Sequence, residues 1–413
     1  MSVRLYGPIR ELHTLAGDGA PRRREAMRET GKAENAGIAV SNGRVLDVGS
    51  WGTLRRRFAD AERVAVDGEL VTPGFVDPHT HLVWSGDRSD EFLRRCAGES
   101  YQEIAKAGGG IASTMRAVAS ASVATLAAET LERARLLLRL GTTTIEVKAS
   151  YGSSVESCKR ELDAVARVRR KAEQRVVVTF MGAHVVPPGW SRAKWIRALV
   201  DDLLPLVAAH RAKVSFQDAF CEEGAFSVAE CRRVLDAGRR IGLVPKLHCD
   251  EFSALGGVEM ACQLGAASCD HLLVSGRREF AALARSETMA VVMPGTAFFL
   301  NKPYARARAM VDTGCALALG SDFNPGSAMT PSMLFAMGLA VSRMGLSAEE
   351  ALCAATVNAA HALRGAVPQP LGTLSSGAPA DFCAWRVASL KELVYGFAFL
   401  RPSAVFISGR RVN

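Results

Sequence analysis

The chain has 413 residues, of which 48% are hydrophobic and 23% charged, with a formal net charge of +9. That length exceeds one small core and fits two or three domains, or one α/β barrel of ~250 residues with additions. The basic residues are scattered, as in LRRRF (54–58), RVRRK (167–171) and GRR (409–411), with no stripe of interleaved aromatics, so nucleic acid is not an expected partner. MSVRLYGPIREL at the start carries charges where a secretory leader is apolar. No run reaches ~18 uninterrupted apolar residues, so no membrane association is expected. Ten cysteines without a CxxC pair read as reduced thiols in a cytoplasmic protein.

The first expected element is GIAVSNGRVLDVG (37–49), a β-like segment preceded by the polar stretch GDGAPRRREAMRETGKAEN (17–35), which reads as a loop or flexible segment. From about residue 72 strand and helix patterns alternate. The strand-like runs are VTPGFVDPHTH (71–81), TTTIEVKA (142–149), RVVVTFMGAH (175–184), KVSFQDAFC (213–221), LVPKLHCDE (243–251), ASCDHLL (267–273), MAVVMPGT (289–296) and ALALGSDF (316–323). Between them, TLAAETLERARLLLRLG, SVESCKRELDAVARVRRKA and SVAECRRVLDAGRRIG repeat apolar residues at three- and four-residue spacing. Eight apolar strands alternating with helices predict a parallel sheet buried on both faces, and the count favours closure into a (β/α)₈ barrel. Two more β-like segments follow, PADFCAWRV (379–387) and SAVFISGRRVN (403–413). Neither chain end suffices for a stable sheet alone. Together they would make a small β-sandwich from residues 1–70 and 366–413, with the barrel (71–365) inserted between.

Active groups of such a barrel sit at the C-terminal ends of its strands. Those ends carry His79 and His81, Glu146 and Lys148, His184, Asp218, His248 and Glu251, His271 and Asp322. His13 and His361 fall outside this set and are expected to have no special role. His79 and His81, two apart on a strand, face the same side and form a two-imidazole clip for a transition metal. His248 and Asp322 are the natural donors to complete four ligands, a set that suits zinc or iron better than magnesium or calcium. Cys249 should point away from the face of His248 into the core. GGGIAST (108–114) lacks the GK[ST] ending of a phosphate loop and reads as a glycine turn over the pocket.

The ligand order PGFVDPHTH, HCDE, DHL, SDFNPG resembles that of the amidohydrolase superfamily. Within it, the motifs GDR (86–88), GGGIAST, EVKASYG (146–152), FMGAHVVP (180–187), CEEGAFS (221–227), KLHCDEFSALGG (246–257), PGTAFFL (294–300) and SDFNPGS (321–327) resemble the imidazolonepropionase family. KASYG stands where that family usually has KSGYG, and HCDEF where it has HADEF. Residues 17–35 also look atypical. The resemblance implies a homodimer and a small-molecule substrate, 4-imidazolone-5-propanoate, opened by water to N-formimino-L-glutamate. It implies one metal per subunit, since strand 4 ends in QDAFC and Lys213 lies at its opposite end. Asp322 and His271 would take the water's proton, and Glu251 would serve as acid or base at the ring nitrogen. Arg88 would hold the propionate. Tyr151, His184, Asn324, Gly326 and Ser327 would complete the substrate contacts, with Lys148 behind them. Two rivals remain at this point: another single-metal member, such as a nucleobase deaminase using the same His-x-x-Glu spacing, and a non-catalytic binding descendant.

Overall fold

In the computed structural model, residues 3–99, 103–104 and 107–413 are described. The three quoted helical patterns fold as Val123–Arg139, Val155–Lys171 and Val228–Arg240. Each starts at a serine, Ser122, Ser154 or Ser227, whose hydroxyl accepts the backbone N–H of the third helical residue. That contact satisfies one of the donors a helix start leaves open.

Sixteen strands form two sheets among the described residues: β1 (Val3–His13), β2 (Lys32–Ser41), β3 (Arg44–Ser50), β4 (Glu62–Val64), β5 (Leu70–Pro73), β6 (Phe75–Asp77), β7 (Thr142–Ala149), β8 (Arg175–Ala183), β9 (Phe216–Cys221), β10 (Val244–Cys249), β11 (Ser268–His271), β12 (Met289–Val292), β13 (Leu317–Leu319), β14 (Phe382–Trp385), β15 (Ala404–Ile407) and β16 (Arg410–Arg411). Strands β6 to β13 pair in parallel and in chain order, as the alternating pattern predicted. Their ring closes just past the ends of β6 and β13, where Thr80 bridges Phe323. There the N–H of Asp322 donates to the His79 carbonyl (3.0 Å) and that of His81 to the Phe323 carbonyl (3.1 Å).

The other eight strands, from both chain ends, make the second layer. They form one continuous mixed sheet, ordered β16-β15-β14-β5-β1-β2-β3 with β4 beside β1. It curls over its own core: the Tyr6 ring meets Phe382 and Phe406 edge-on at 5.3 and 5.5 Å, and Val45 N–H reaches the Ala378 carbonyl at 2.9 Å. The sandwich expected from the two ends is thus a single sheet folded on itself.

Two details differ from the sequence pattern. The run 71–81 is two strands in two sheets, β5 in the terminal sheet and β6 in the barrel, parted at Gly74. A Cβ on Gly74 would overlap the side chain of Thr143, which explains glycine at the crossing. Residues 17–35 are an anchored segment with a 3₁₀ turn at Arg24–Arg28 and a buried Met27. Arg22 donates to the carbonyls of Leu15 and Ala16 at 2.7 Å, and Arg23 to those of Gly314 and Ser286 at 2.7 Å. Composition alone suggested flexibility because it does not show which carbonyls these arginines reach. No helix among the described residues is long and apolar enough to cross a membrane.

Gly74→Ala should lower stability by about 1–3 kcal/mol, since Thr143 is buried and has little room to move. Thermal unfolding checks this, and Gly74→Ala with Thr143→Ala should recover part of the loss. A single variant as stable as the parent would contradict the proposed crowding.

Candidate metal and substrate site

At the C-terminal mouth of the barrel the backbone turns sharply to present polar side chains. His271 and Asp322 have φ of 84° and 54°, a left-handed region that non-glycine residues enter only where the surroundings hold them. Asp77, at the end of β6, accepts the N–H groups of Ser321 (3.1 Å) and His79 (3.3 Å), and so ties the first strand end to the last.

The four residues expected to bind metal converge. His79 Nε2 and His81 Nε2 lie 3.4 and 3.6 Å from Asp322 Oδ1, and His248 Nε2 lies 3.3 Å from His81 Nε2. Donor atoms of His79, His81 and His248 all fall within 4.8 Å of one another, as do those of His79, His271 and Asp322. His271 therefore flanks the four as a fifth nearby donor. His79 Nε2 is buried without a hydrogen-bond partner, and burial, followed by the charges of Lys148 and the neighbouring histidines, holds the His79 imidazole well below its ordinary value. Burial does the same for His81 and His271, and brings His184 down to about 3. Converging imidazole nitrogens, one of them buried without a hydrogen-bond partner, fit a transition-metal ion.

Each imidazole is aimed from behind. Nδ1 of His79 lies 2.7 Å from Asp270 Oδ2, Nδ1 of His81 lies 2.9 Å from Ser150 Oγ, and Nδ1 of His248 lies 3.0 Å from Asp218 Oδ2. A carboxylate at Nδ1 fixes that proton and turns the Nε2 lone pair inward. Lys148 Nζ joins the two carboxylates, 2.7 Å from Asp218 and 3.9 Å from Asp270, and donates to Glu146 at 2.8 Å. Burial opposes ionisation of Asp218, yet His248 and Lys148 hold its carboxyl well below the usual range. Thr296 Oγ1 donates to Asp322 Oδ2 at 2.7 Å, leaving Oδ1 toward the imidazoles. Sequence reasoning placed Lys148 behind the site but missed Asp270 and Ser150. Asp270 carries the one available signal, a carboxylate beside His271 on a strand that must be buried.

A cavity of about 770 Å³ opens above these groups, lined by His81, His248, His271 and Asp322 together with Arg88, Tyr151, His184, Glu251, Asn324, Gly326 and Ser327. His79 lies beneath them, fully buried. Every other residue assigned to the site from the sequence is on this one wall. Burial, then the charges of Asp322 and Glu222, pushes the Glu251 carboxyl well above its usual value, and Oε2 lies 3.7 Å from His271 Nε2. Glu222 holds the loop after Glu251 by accepting the N–H of Phe252 at 2.9 Å. Glu161 does the same for the loop of Tyr151, accepting the N–H groups of Tyr151 (3.0 Å) and Ser150 (3.3 Å). Asn324 turns its amide into its own loop, accepting the N–H groups of Gly326 and Ser327 at 2.8 Å. Arg88 precedes the helix Ser89–Cys96 and is paired with Glu91 through Nε (3.0 Å) and Nη2 (2.8 Å). The run 108–114 is half turn and half helix start, with Gly110 N–H bound to Glu91 and the helix beginning at Ile111. Cys249 is buried, and its Cβ faces Gly257 away from the cavity.

Comparison with known proteins agrees with this geometry. The amidohydrolase family model matches residues 70–412. An imidazolonepropionase of Symbiobacterium thermophilum is 45% identical over 377 residues, covering 90% of this chain and 88% of that protein. One of Deinococcus deserti is 41% identical over 414 residues, covering 100% of both. Among solved structures, an adenosine deaminase from Xanthomonas campestris with bound zinc superposes with a TM-score of 0.71 at 19% identity, over 99% of this chain and 92% of that one. A guanine deaminase from C. acetobutylicum with bound guanine gives a TM-score of 0.71 at 14% identity, over the whole of both chains. At such identities the structures speak for the fold, while the sequence relatives decide the group: the chain belongs to the amidohydrolase family and, within it, to the imidazolonepropionases.

Proposed function

We propose that this chain hydrolyses the ring C–N bond of 4-imidazolone-5-propanoate, giving N-formimino-L-glutamate. The observation that carries the reading is one cavity holding both the His/Asp donor cluster and the Arg88 guanidinium. A nucleobase deaminase would need the first but has no carboxylate for the second. The names of the relatives at 40–45% identity support the same choice.

His79, His81, His248 and Asp322 would hold one transition-metal ion, zinc or iron, with barrel residues 71–365 as its frame. When bound, such an ion supplies a nucleophile at neutral pH by lowering the pKa of water from 15.7 to about 7. The chain's own residues do the rest. Asp322, its carboxyl pushed up to about 6 by burial, accepts the proton of the attacking water. Oxygen adds to the ring carbonyl carbon, and the bond from that carbon to the ring nitrogen breaks. Glu251, whose carboxyl burial pushes well above its usual value, delivers a proton to the departing nitrogen. His271, 3.7 Å from Glu251, orients it. Tyr151 and His184 hydrogen-bond the substrate, and Arg88 with the Asn324–Ser327 loop holds its side chain.

Loss of imidazolone absorbance, measured with metal content on the same sample, tests the reading. Turnover with about one metal per chain is expected, whereas ammonia release from nucleobases without imidazolone loss would replace it with the deaminase. Asp270→Asn should weaken metal affinity by about 10–100-fold, because His79 loses the carboxylate that fixes its Nδ1 proton. Competition with a chelator reads this directly, and unchanged affinity would remove Asp270 from the site. Glu251→Gln should lower kcat by about 10²–10⁴-fold with metal content unchanged. A variant near the parent rate would rule out the proton-transfer role.

A further inference from the structure

Arg95 reaches the same cavity from the helix Ser89–Cys96. Its guanidinium lies 5.1 Å from the ring centre of Phe299 and 5.6 Å from that of Phe92. Contact with two rings restrains the orientation of the group. Nη1 donates to the Gly326 carbonyl at 3.3 Å. Nη2 is buried with no hydrogen-bond partner, and no carboxylate among the described residues forms an ion pair with Arg95.

Arg88 is differently placed. Its Nε and Nη2 are committed to Glu91, whose carboxylate also accepts the Gly110 N–H at 3.1 Å. Only Nη1 remains, and it is directed at Gly326, where an added Cβ would run into it. Both guanidinia therefore border Gly326 and share one corner of the cavity. Arg88 is paired directly with Glu91, whereas Arg95, which feels Glu91 only at longer range, makes no ion pair among the described residues. Burial, with a contribution from the like charge of Arg88, draws Arg95 below its usual value against the opposing influence of Cys96 and Glu91.

We propose that Arg95 supplies the uncompensated charge that binds the substrate's propionate, and that Arg88, neutralised by Glu91, directs the geometry of that contact through Nη1. Gly326 is the hinge of the arrangement: its missing side chain leaves the corner open to both guanidinia. Carboxylate recognition by paired guanidinium N–H groups is strong and directional. The inference rests on the substrate being a carboxylate-bearing imidazolone, and it assigns discrimination between charged and neutral side chains to Arg95, on the helix that follows the GDR motif.

The test compares two substrates, 4-imidazolone-5-propanoate and its propanamide analogue, on the metal-loaded parent, Arg95→Gln and Arg95→Lys, with metal content checked on each. Arg95→Gln should raise KM for the carboxylate by about 10–100-fold with little change in kcat, and leave the amide nearly unaffected. The preference for carboxylate over amide should then shrink by the same factor, with Arg95→Lys between the two. Equal losses on both substrates would mean that Arg95 only supports the Gly326 loop, and an unchanged preference would also overturn the proposal. A parent enzyme that leaves the imidazolone intact would instead defeat the functional reading itself, and the carboxylate clamp with it.

Discussion

An ammonium group cut off from water, that of Lys148, sits at the centre of this molecule. Its charge is opposed by burial and sustained by Asp218, Glu146 and Asp270, which raise its pKa above the ordinary lysine range. The two aspartates in turn reach Nδ1 of His248 and His79. Lys148, joined at Asp270 by the buried Lys246 at the same 3.9 Å, thus balances the charge of the groups that aim two of the imidazoles. Buried ion pairs cost much to assemble, and removing one partner costs about 3–5 kcal/mol because the other charge is stranded. The network is better understood as orientation than as stabilisation: without Lys148, three carboxylates would crowd the floor beneath the donor cluster.

The same residues close the barrel. The backbones of His79, His81 and Asp322 carry the hydrogen bonds that join the first strand to the last. Asp77, whose carboxyl burial pushes up to about 7, stitches the same seam through Ser321. The positions of His79, His81 and Asp322 are therefore set by the closure geometry, and that of His248 by the pairing of β10 with β9 and β11. This is why three imidazoles and a carboxylate meet although they come from strands far apart in sequence.

Much of this was legible in the chain. The eight strands, the serine-capped helices and the converging His79, His81, His248 and Asp322 follow from periodicity and from the rule that active groups stand at strand ends. What stayed hidden depends on distance in space. Asp270 looked like one more residue of a buried strand until His79 came to lie against it. Arg22 and Arg23 looked like part of a polar loop because the partners that tie them to the barrel are more than 250 residues away: Asn358 Oδ1 for the Arg22 N–H, and the Gly314 and Ser286 carbonyls for the Arg23 guanidinium. Gly74 is hidden for another reason: the hydrophobic pattern runs straight through it, and only the crowding of Thr143 shows that the chain changes sheets there.

The division between fold and chemistry follows from the same geometry. Deaminase structures at 14–19% identity superpose on this chain over nearly its whole length, so the barrel and its closure do not choose the reaction. The choice lies above the donor cluster, in the cavity wall. There Glu161 fixes the turn carrying Tyr151 and Glu222 fixes the turn after Glu251. Both side chains accept backbone N–H groups, and Glu222 also accepts the Ser253 hydroxyl. Glu251 and the guanidinia of Arg88 and Arg95 beside Gly326 line the same wall, where the proposed function places the ring and the propionate. A wall so arranged accepts a substrate that is polar at both ends and charged at one of them, a requirement that a flat neutral nucleobase does not meet.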